Sequence, residues 1–379
     1  MKRYFLIATA VIIVMISACP KKNMTTKTEN VSMQEKIRFV RLSSGEAQMC
    51  SRANRFALHV FKYTIEAVGN KSLTLSPLSM IYSLGMINNG AEGNTSRQIC
   101  KITGFTSGTD SINAFCHKIM NEFGYIDSTT TMDIANAAII NENLKIKDCF
   151  VDALKNYYEA MTDVSNFNKN NIVNKVNVWC AEKTDGMIDN IIDNISPDDA
   201  VIIVNAVYFK GLWKNKFNKA DTKKDKFKAA DGIVRNVDMM QKTDCEQYAE
   251  NKTFSAVSMR YGNGHYSMQI ILPKEGKSIS DVIETINKKE WKNIVDNMES
   301  GKINMMMPRF SIEYAQELKG MFTDMGADDM FNRKKADMSK LCESNAWISS
   351  IIHKAKIEVD EEGTRAAAAT GAVTIGAFD

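Results

Sequence analysis

The chain has 379 residues, of which 44% are hydrophobic and 25% are charged, and these proportions exclude a disordered or a fibrous protein. Its 48 basic and 45 acidic residues nearly balance, so the composition gives no support to nucleic-acid binding, which leaves a basic footprint. With only 5 prolines and 20 glycines, low-complexity and collagen-like chains are excluded as well.

An apolar segment at the N-terminus follows two basic residues, Lys2 and Arg3. The segment covers residues 4–18 and is too short to cross a bilayer, for which about 20 residues are needed. A charged start, a short apolar stretch and small residues at its end are typical of a secretory signal peptide. We therefore predict a signal peptide over residues 1–18, followed by a polar tether over residues 19–47.

The apolar segment ends in the pattern Ile16-Ser17-Ala18-Cys19. This pattern resembles the lipoprotein box of bacteria, in which the cysteine is acylated at sulfur and becomes the mature N-terminus. The resemblance implies that Cys19 carries a lipid such as palmitate, and that the protein is exported and anchored to a bacterial membrane, at the outer membrane or cell surface. The alternative is an ordinary signal peptide, in which Cys19 has no such role.

The seven cysteines after Cys19 form no zinc or redox motif, because no two of them are closely spaced. We expect them to be buried apolar side chains; they are Cys50, Cys100, Cys116, Cys149, Cys180, Cys245 and Cys342. The four histidines form no metal-ligand pattern, so neither a metal nor a cofactor is expected. The common nucleophile, zinc-protease, phosphate-binding and dinucleotide-binding motifs are absent, and we do not expect an enzyme. The acid pairs Asp198-Asp199 and Asp328-Asp329 are predicted to be exposed surface charges.

Hydrophobic periodicity predicts the secondary structure in chain order. Helices are expected from residue 54 onward, over 76–90 and over 174–181, and strands over 72–75, 134–140, 201–209, 303–310 and 348–359, with a hairpin over 254–272 closed at residues 262–264. Runs of helices followed by runs of strands favour an α+β fold over a regularly alternating α/β fold. The sequence has no internal repeat and no second composition regime, so it predicts one large domain from residue 48 onward.

The last predicted strand alternates between apolar and polar residues. Its odd-numbered residues from Ile351 to Val359 are apolar apart from His353, and the even-numbered residues from Lys354 to Asp360 are charged. This alternation predicts a strand with one buried face. His353 lies on that face, where it must find a hydrogen-bond partner.

The residues that follow this strand are mostly small and include no proline, and Arg365 is the only charge between Glu362 and Asp379. If they form a strand, Thr364, Ala366, Ala368 and Thr370 face one way and Arg365 faces the other. Such a segment can enter the interior of a sheet without carrying a bulky or charged side chain inward. A frayed tail and an alanine-rich helix are the alternatives.

Several motifs, in order and at matching spacing, together resemble the serpin family. Residues 361–370 resemble the hinge of the serpin reactive-centre loop, and residues 205–213 resemble the third strand of the large sheet and its tryptophan. Residues 76–79 with 90–95, 176–188 and 307–310 resemble the shutter helix, the helix beside the sheet and a further strand. We call residues 361–371 the hinge segment and residues 360–379 the reactive-centre loop. The implied site residues are Glu361, Glu362, Gly363, Thr364, Ala366, Ala368 and Thr370 at the hinge, and Trp213, Asn205, Ser76, Ser79 and His353 at the breach and shutter.

The resemblance implies a fold with a large mixed central sheet, helices and smaller sheets. It also implies a monomeric suicide inhibitor of serine proteases, with cysteine proteases as a second target class. The charge balance speaks against nucleic acid as a partner, and the lipid predicted on Cys19 would attach the protein to the membrane. In this mechanism the reactive-centre loop is held out of a five-stranded sheet. A protease cuts it and forms an acyl-enzyme, and the freed loop inserts as an extra strand and distorts the trapped protease.

The reactive centre is placed by counting from the hinge. The family's usual count from the first hinge glutamate to the cut residue is about seventeen, a spacing set by the reach of the inserted strand. From Glu361 the count reaches Ala377, with Phe378 after the cut, which favours elastase-like or subtilisin-like proteases. A register one residue longer would make Phe378 the primary residue and favour chymotrypsin-like enzymes.

The sequence departs from the family in two ways. Serpins continue beyond the reactive centre with strands that this chain, ending at Asp379, does not contain, so we expect a serpin domain over residues 48–379 that is incomplete at its C-terminus. Arg365 stands where the family prefers an acid, and we expect it to face solvent after insertion at little cost. A non-inhibitory or truncated serpin-fold surface binding protein is the alternative function, although such proteins tend to carry proline or bulky inward residues in the hinge.

Overall fold

The computed structural model describes residues 3–6, 11–13 and 40–371, except residues 70, 106, 107, 125, 168–170, 200, 230, 231, 287, 345, 349 and 350. Cys19, Ala377 and Phe378 therefore lie outside the described residues. Among the residues described, no helix is long and apolar enough to span a membrane, and no cluster of histidine, cysteine and acidic residues could hold a metal ion.

The helices begin at residues that suit helix N-termini. Ser43 and Glu46 form a reciprocal capping box at the first helix, and Ser76 caps the second helix, which has Pro77 in its first turn. A π-helical turn over Ile119–Phe123 extends the fourth helix. The helices are α1 Ser44–Val68, α2 Pro77–Gly90, α3 Gly93–Thr103, α4 Thr109–Lys118, α5 Asp148–Tyr158, α6 Asn171–Lys183, α7 Ile279–Thr285, α8 Lys288–Asp296 and α9 Lys319–Asp324.

The strands form two sheets. In chain order they are β1 Arg3–Leu6, β2 Val11–Ile13, β3 Thr130–Asn141, β4 Met161–Ser165, β5 Val201–Leu212, β6 Lys223–Lys228, β7 Val234–Glu250, β8 Phe254–Arg260, β9 Ser267–Pro273, β10 Glu299–Pro308, β11 Phe310–Glu317, β12 Ile352–Val359 and β13 Gly363–Gly371. Six of them form a mixed sheet in the order β11-β12-β13-β5-β3-β4, in which only the β3–β4 pair is parallel. The remaining seven form the second sheet.

The second sheet is continuous, whereas several smaller sheets were expected. Strand β7 has 17 residues and pairs with β6, β10 and β8 in succession, so it joins strands that a shorter strand would have left in separate sheets. Strands β1 and β2 lie in the predicted signal peptide. Strand β1 pairs with β10 in parallel orientation, and β2 pairs with β9 in antiparallel orientation.

The six-stranded sheet is covered on both faces. The main hydrophobic core fills the space on one side of it, and α6 packs with residues 187–192 on the other side. Alternate residues of β5 face the two layers, with Ile203 and Phe209 in the main core and Ile202 and Tyr208 under α6. Burial on both faces explains why the sequence of β5 is almost continuously apolar.

Most of the predicted elements agree with the structure, but three strand predictions need correction. Residues 72–75 are irregular, because they lead directly into the helix cap at Ser76. The strand predicted over 303–310 is broken at Arg309, where the chain passes from the seven-stranded to the six-stranded sheet. The strand predicted from residue 348 begins only at Ile352.

Two predictions about exposure were also wrong in part. All seven cysteines were expected to be buried, but Cys149 and Cys245 are exposed and Cys50 and Cys100 are half-buried. All seven are free thiols. Two of the acidic residues expected at the surface, Asp199 and Asp329, are buried because polar neighbours satisfy their carboxylates. Ser196 donates its backbone N–H to Asp199 at 2.9 Å.

Candidate functional site

The hinge segment forms a central strand of the six-stranded sheet. Strand β13 runs antiparallel to both β12 and β5, with Thr364 opposite Val359 on one side and Gly211 on the other. The expectation of a five-stranded sheet with the loop held outside is therefore wrong for this conformation. Two complete sets of ladder hydrogen bonds replace the solvation that the segment would have outside the sheet.

A tight turn connects β12 to the hinge segment. The Asp360 side chain accepts hydrogen bonds from the backbone N–H groups of Glu362, at 2.8 Å, and Gly363, at 3.1 Å. Trp213 fixes the turn from the side, because its indole Nε1 donates to the Asp360 carbonyl and its backbone N–H donates to the Glu362 carbonyl, both at 2.9 Å. The start of the inserted strand is thus held by the tryptophan at the end of β5.

Glu361 is buried at this turn, with 1% of its side chain exposed. Its Oε1 atom accepts hydrogen bonds from Arg309 Nη2 and from the Thr222 hydroxyl, each at 2.6 Å. Burial raises the pKa of Glu361, but the hydrogen bonds from Arg309 and Thr222 outweigh it, so the pKa lies below its usual value. The carboxylate therefore stays ionised and ties the hinge to the junction of β10 and β11.

Gly363 lies where no side chain would fit. A Cβ atom at this residue would fall 2.0 Å from the carbonyl oxygen of Gly211 on β5. Gly211 is itself restricted, because a Cβ there would fall 2.8 Å from the Tyr261 ring. The two glycines let the backbones of β13 and β5 approach each other beneath that ring.

Thr364 is the first residue of the hinge segment that points into the main core, and it is 1% exposed. Its hydroxyl accepts a hydrogen bond from the phenol of Tyr261 at 2.7 Å. Tyr261 is fully buried and stacks on Trp213, with ring centroids 4.5 Å apart. This position therefore accepts a small residue that can hydrogen-bond, and it leaves no room for a large or charged one.

A second group of polar side chains lies further along the sheet. Asn205 on β5 is fully buried, accepts a hydrogen bond from Ser79 on α2 at 2.6 Å, and donates to Asn136 on β3 at 2.6 Å. In the sheet register, Asn205 lies on one side of Thr370 and His353 on the other. The inserted strand thus passes between two buried polar residues that belong to different strands.

His353 connects the sheet to α2. Its Nε2 atom accepts a hydrogen bond from the backbone N–H of Ser76 at 3.1 Å, so the ring is neutral. Complete burial lowers the pKa of His353 to about 3, because the imidazolium form would lose its hydration. The structure thus brings Ser76, Ser79, Asn205 and His353 together with the path of the hinge segment.

The comparisons with known proteins agree with this arrangement. The sequence profile of the family described as serpin (serine protease inhibitor) matches residues 51–378. The chain belongs to the serpin family. It is 30% identical to human Serpin B11 in an alignment of 348 residues that covers 85% of this chain and 88% of that protein.

Two solved structures are similar to this serpin in fold. The crystal structure of tengpin, a thermophilic serpin in the latent state, has 28% sequence identity and a TM-score of 0.81, covering 89% of this chain and 91% of tengpin. Human thyroxine-binding globulin with a cleaved reactive loop has a TM-score of 0.82 and 24% identity, covering 86% of this chain and 98% of that one. The α+β serpin fold predicted from the sequence is confirmed.

Several residues that hold the hinge of this serpin were not among the predicted site residues. Tyr261, Thr222 and Arg309 contact Thr364 and Glu361, and Arg309 belonged to a quoted strand motif but was given no role. Arg365 was expected to face solvent after insertion; its side chain is 41% exposed, and it also donates a hydrogen bond to Asp185 in the turn that follows α6. These contacts join residues far apart in sequence, so no local pattern indicates them.

Proposed function

We propose that this serpin is a suicide inhibitor of serine proteases that acts by inserting its cleaved reactive-centre loop between β12 and β5, where the hinge segment becomes strand β13. The observation that supports the proposal is the fit of the hinge segment as a central strand. Gly363 and Thr364 occupy positions that exclude larger residues, and Thr364 gains a hydrogen bond there. A sheet that receives these residues between β12 and β5 can draw the attached protease along as the strand forms.

The proposed scissile bond joins Ala377 and Phe378, and the proposed targets are elastase-like or subtilisin-like proteases. A primary alanine suits the shallow specificity pocket of such enzymes. We further propose that the protein is a monomer exported through its signal peptide and held at a bacterial membrane by a lipid on Cys19. The inhibitor would then meet exogenous proteases at the cell surface.

The experiment that tests this function uses the protein with the C-terminal segment that serpins carry after the reactive centre, and incubates it with elastase, subtilisin and chymotrypsin in parallel. We expect a complex that survives denaturing electrophoresis with elastase or subtilisin, and mass spectrometry should show a released fragment that begins at Phe378. A fragment that begins at Asp379, formed with chymotrypsin, would move the primary residue to Phe378. Cleavage by all three enzymes without any stable complex would favour the non-inhibitory binding protein.

A further inference from the structure

Arg365 lies on the face of β13 that α6 covers, opposite to the buried Thr364. Its guanidinium Nη2 atom donates a hydrogen bond to the Asp185 carboxylate at 3.2 Å. The Tyr208 hydroxyl of β5 donates to the same oxygen atom, Oδ2, at 3.1 Å. One carboxylate oxygen therefore joins the turn after α6, a central strand and the inserted hinge.

The turn that carries Asp185 is held by contacts that do not involve the hinge. Asp185 has a positive φ of 52°, which an aspartate tolerates better than most residues. The fully buried Thr184 beside it donates its hydroxyl to the Cys180 carbonyl at 2.8 Å and accepts the Ile188 backbone N–H at 3.0 Å. Gly186 closes the turn by donating its N–H to the Ala181 carbonyl at 2.8 Å. The backbone that carries the carboxylate is thus held by α6 and its core.

The other charges around Arg365 do not replace this partner. In the sheet register Arg365 lies between Glu358 on β12 and Lys210 on β5. Glu358 attracts Arg365 through space but is paired with Lys356 at 3.2 Å, and Lys210 has the same charge as Arg365. An acidic residue at position 365 would instead place two negative charges close together at Asp185.

We propose that Asp185 and Tyr208 form a receptor for Arg365 that favours insertion of the hinge segment, so that Arg365 and Asp185 are positioning residues for loop insertion. The inference rests on the proposed inhibitory function. The contacts that hold the Asp185 turn do not involve the hinge, whereas Arg365 contacts Asp185 as part of β13. The ion pair therefore lowers the free energy of the inserted state, and it couples the turn after α6 to the step that decides between trapping the protease and releasing it.

The contribution of the Arg365–Asp185 ion pair to the stability of the inserted state is limited by the solvent exposure of the two side chains. The side chains of Arg365 and Asp185 are 41% and 61% exposed, and ion pairs of this kind change an equilibrium by up to about fivefold. Reversing one charge also adds repulsion, so a single reversal should destabilise the inserted state by about tenfold in its equilibrium constant. If half of this effect appears in the barrier to insertion, the ratio of trapped to released protease should fall by about threefold. The initial cleavage of the loop should not change, because it precedes insertion.

A charge swap tests the receptor. We would compare Arg365→Glu, Asp185→Lys and the double variant, with Asp189→Lys as a control that makes the same charge change further along the loop after α6. Each single variant should yield less covalent complex and more cleaved inhibitor at an unchanged cleavage rate, and the double variant should recover most of the complex. A double variant as poor as the worse single variant would overturn the proposal, as would single variants equal to wild type.

Failure of the proposed function would be seen separately. If the wild-type protein forms no complex with any protease, the inhibitory function fails, and the receptor is then judged on the thermal stability of the cleaved protein. The two single variants should lower the melting temperature of the cleaved form and the double variant should restore it. A melting temperature that is the same in all four proteins would refute the receptor independently of inhibition.

Discussion

Replacing Thr364 by arginine tests whether the hinge segment must enter the core for inhibition. Thr364 is 1% exposed, lies opposite Val359 and Gly211, and accepts a hydrogen bond from Tyr261 at 2.7 Å. In the inserted state Thr364→Arg would bury a guanidinium without a counter-ion and leave the Tyr261 hydroxyl without its acceptor. An unpaired buried charge costs about 3–5 kcal/mol, and a lost buried acceptor adds about 1–3 kcal/mol.

The loss of inhibition depends on the fraction of this free-energy cost that appears in the activation barrier to insertion. If half of about 4 kcal/mol appears in the barrier, insertion slows about thirtyfold, and the protease deacylates before it is trapped. We expect Thr364→Arg to be cleaved normally and to lose the complex that survives denaturing electrophoresis. Thr364→Ser, which keeps the hydroxyl and the small size, is the matched control and should retain the complex. An unchanged yield of complex with Thr364→Arg would refute an insertion mechanism.

Three further predictions concern the hinge, the buried histidine and the anchor. Gly363→Ala should lower the melting temperature of the cleaved protein, because the new Cβ would fall 2.0 Å from the Gly211 carbonyl oxygen. Relieving such a clash costs about 1–3 kcal/mol. An unchanged melting temperature would show that the two strands are not in contact. The pKa of His353 falls to about 3 on folding, so below pH 6.5, the usual pKa of histidine, the unfolded chain takes up a proton and the folded protein does not. The free energy of unfolding should therefore fall by about 2 kcal/mol between pH 7.5 and pH 5. Denaturant titrations of His353→Gln should lack that part of the pH dependence, and equal slopes for both proteins would contradict the assignment of a neutral buried imidazole. Radiolabelled palmitate should be incorporated into the wild-type protein but not into Cys19→Ser, and equal labelling of the two proteins would refute the lipid anchor on Cys19.

The sequence predicted the elements with strong periodicity and the course of the hinge better than the contacts that hold it. The alternation in β12 placed His353 on a buried face, and the small residues after Glu362 indicated a segment able to enter a sheet, because both signals lie within a few neighbouring residues. The partners of that segment could not be read in the same way. Tyr261 and Arg309 lie on other strands, and their approach to Thr364 and Glu361 is fixed by the register of the sheets.

The burial of charged residues could not be predicted from the sequence either. Asp199 and Asp329 look like surface charges in the sequence, and only the folded chain supplies the donors that allow their burial. The contact of Arg365 could not be predicted from the sequence either, because its partner Asp185 lies in the turn after α6, well separated in sequence from the hinge. Neither case has a local pattern, since both depend on tertiary contacts that satisfy a charge.

Hydrogen exchange at the backbone amides of residues 364–369 tests most directly whether the hinge segment becomes a central strand when the loop is cut. The full-length protein would be measured before and after cleavage by elastase. In the inserted conformation that the structure shows, these amides belong to a strand paired on both sides with β12 and β5, so opening them costs a large part of a global stability of about 5–15 kcal/mol. We expect the cleaved protein to adopt this conformation. We predict that cleavage slows their exchange by at least about a thousandfold. Exchange that is equally fast, or equally slow, before and after cleavage would contradict the insertion mechanism.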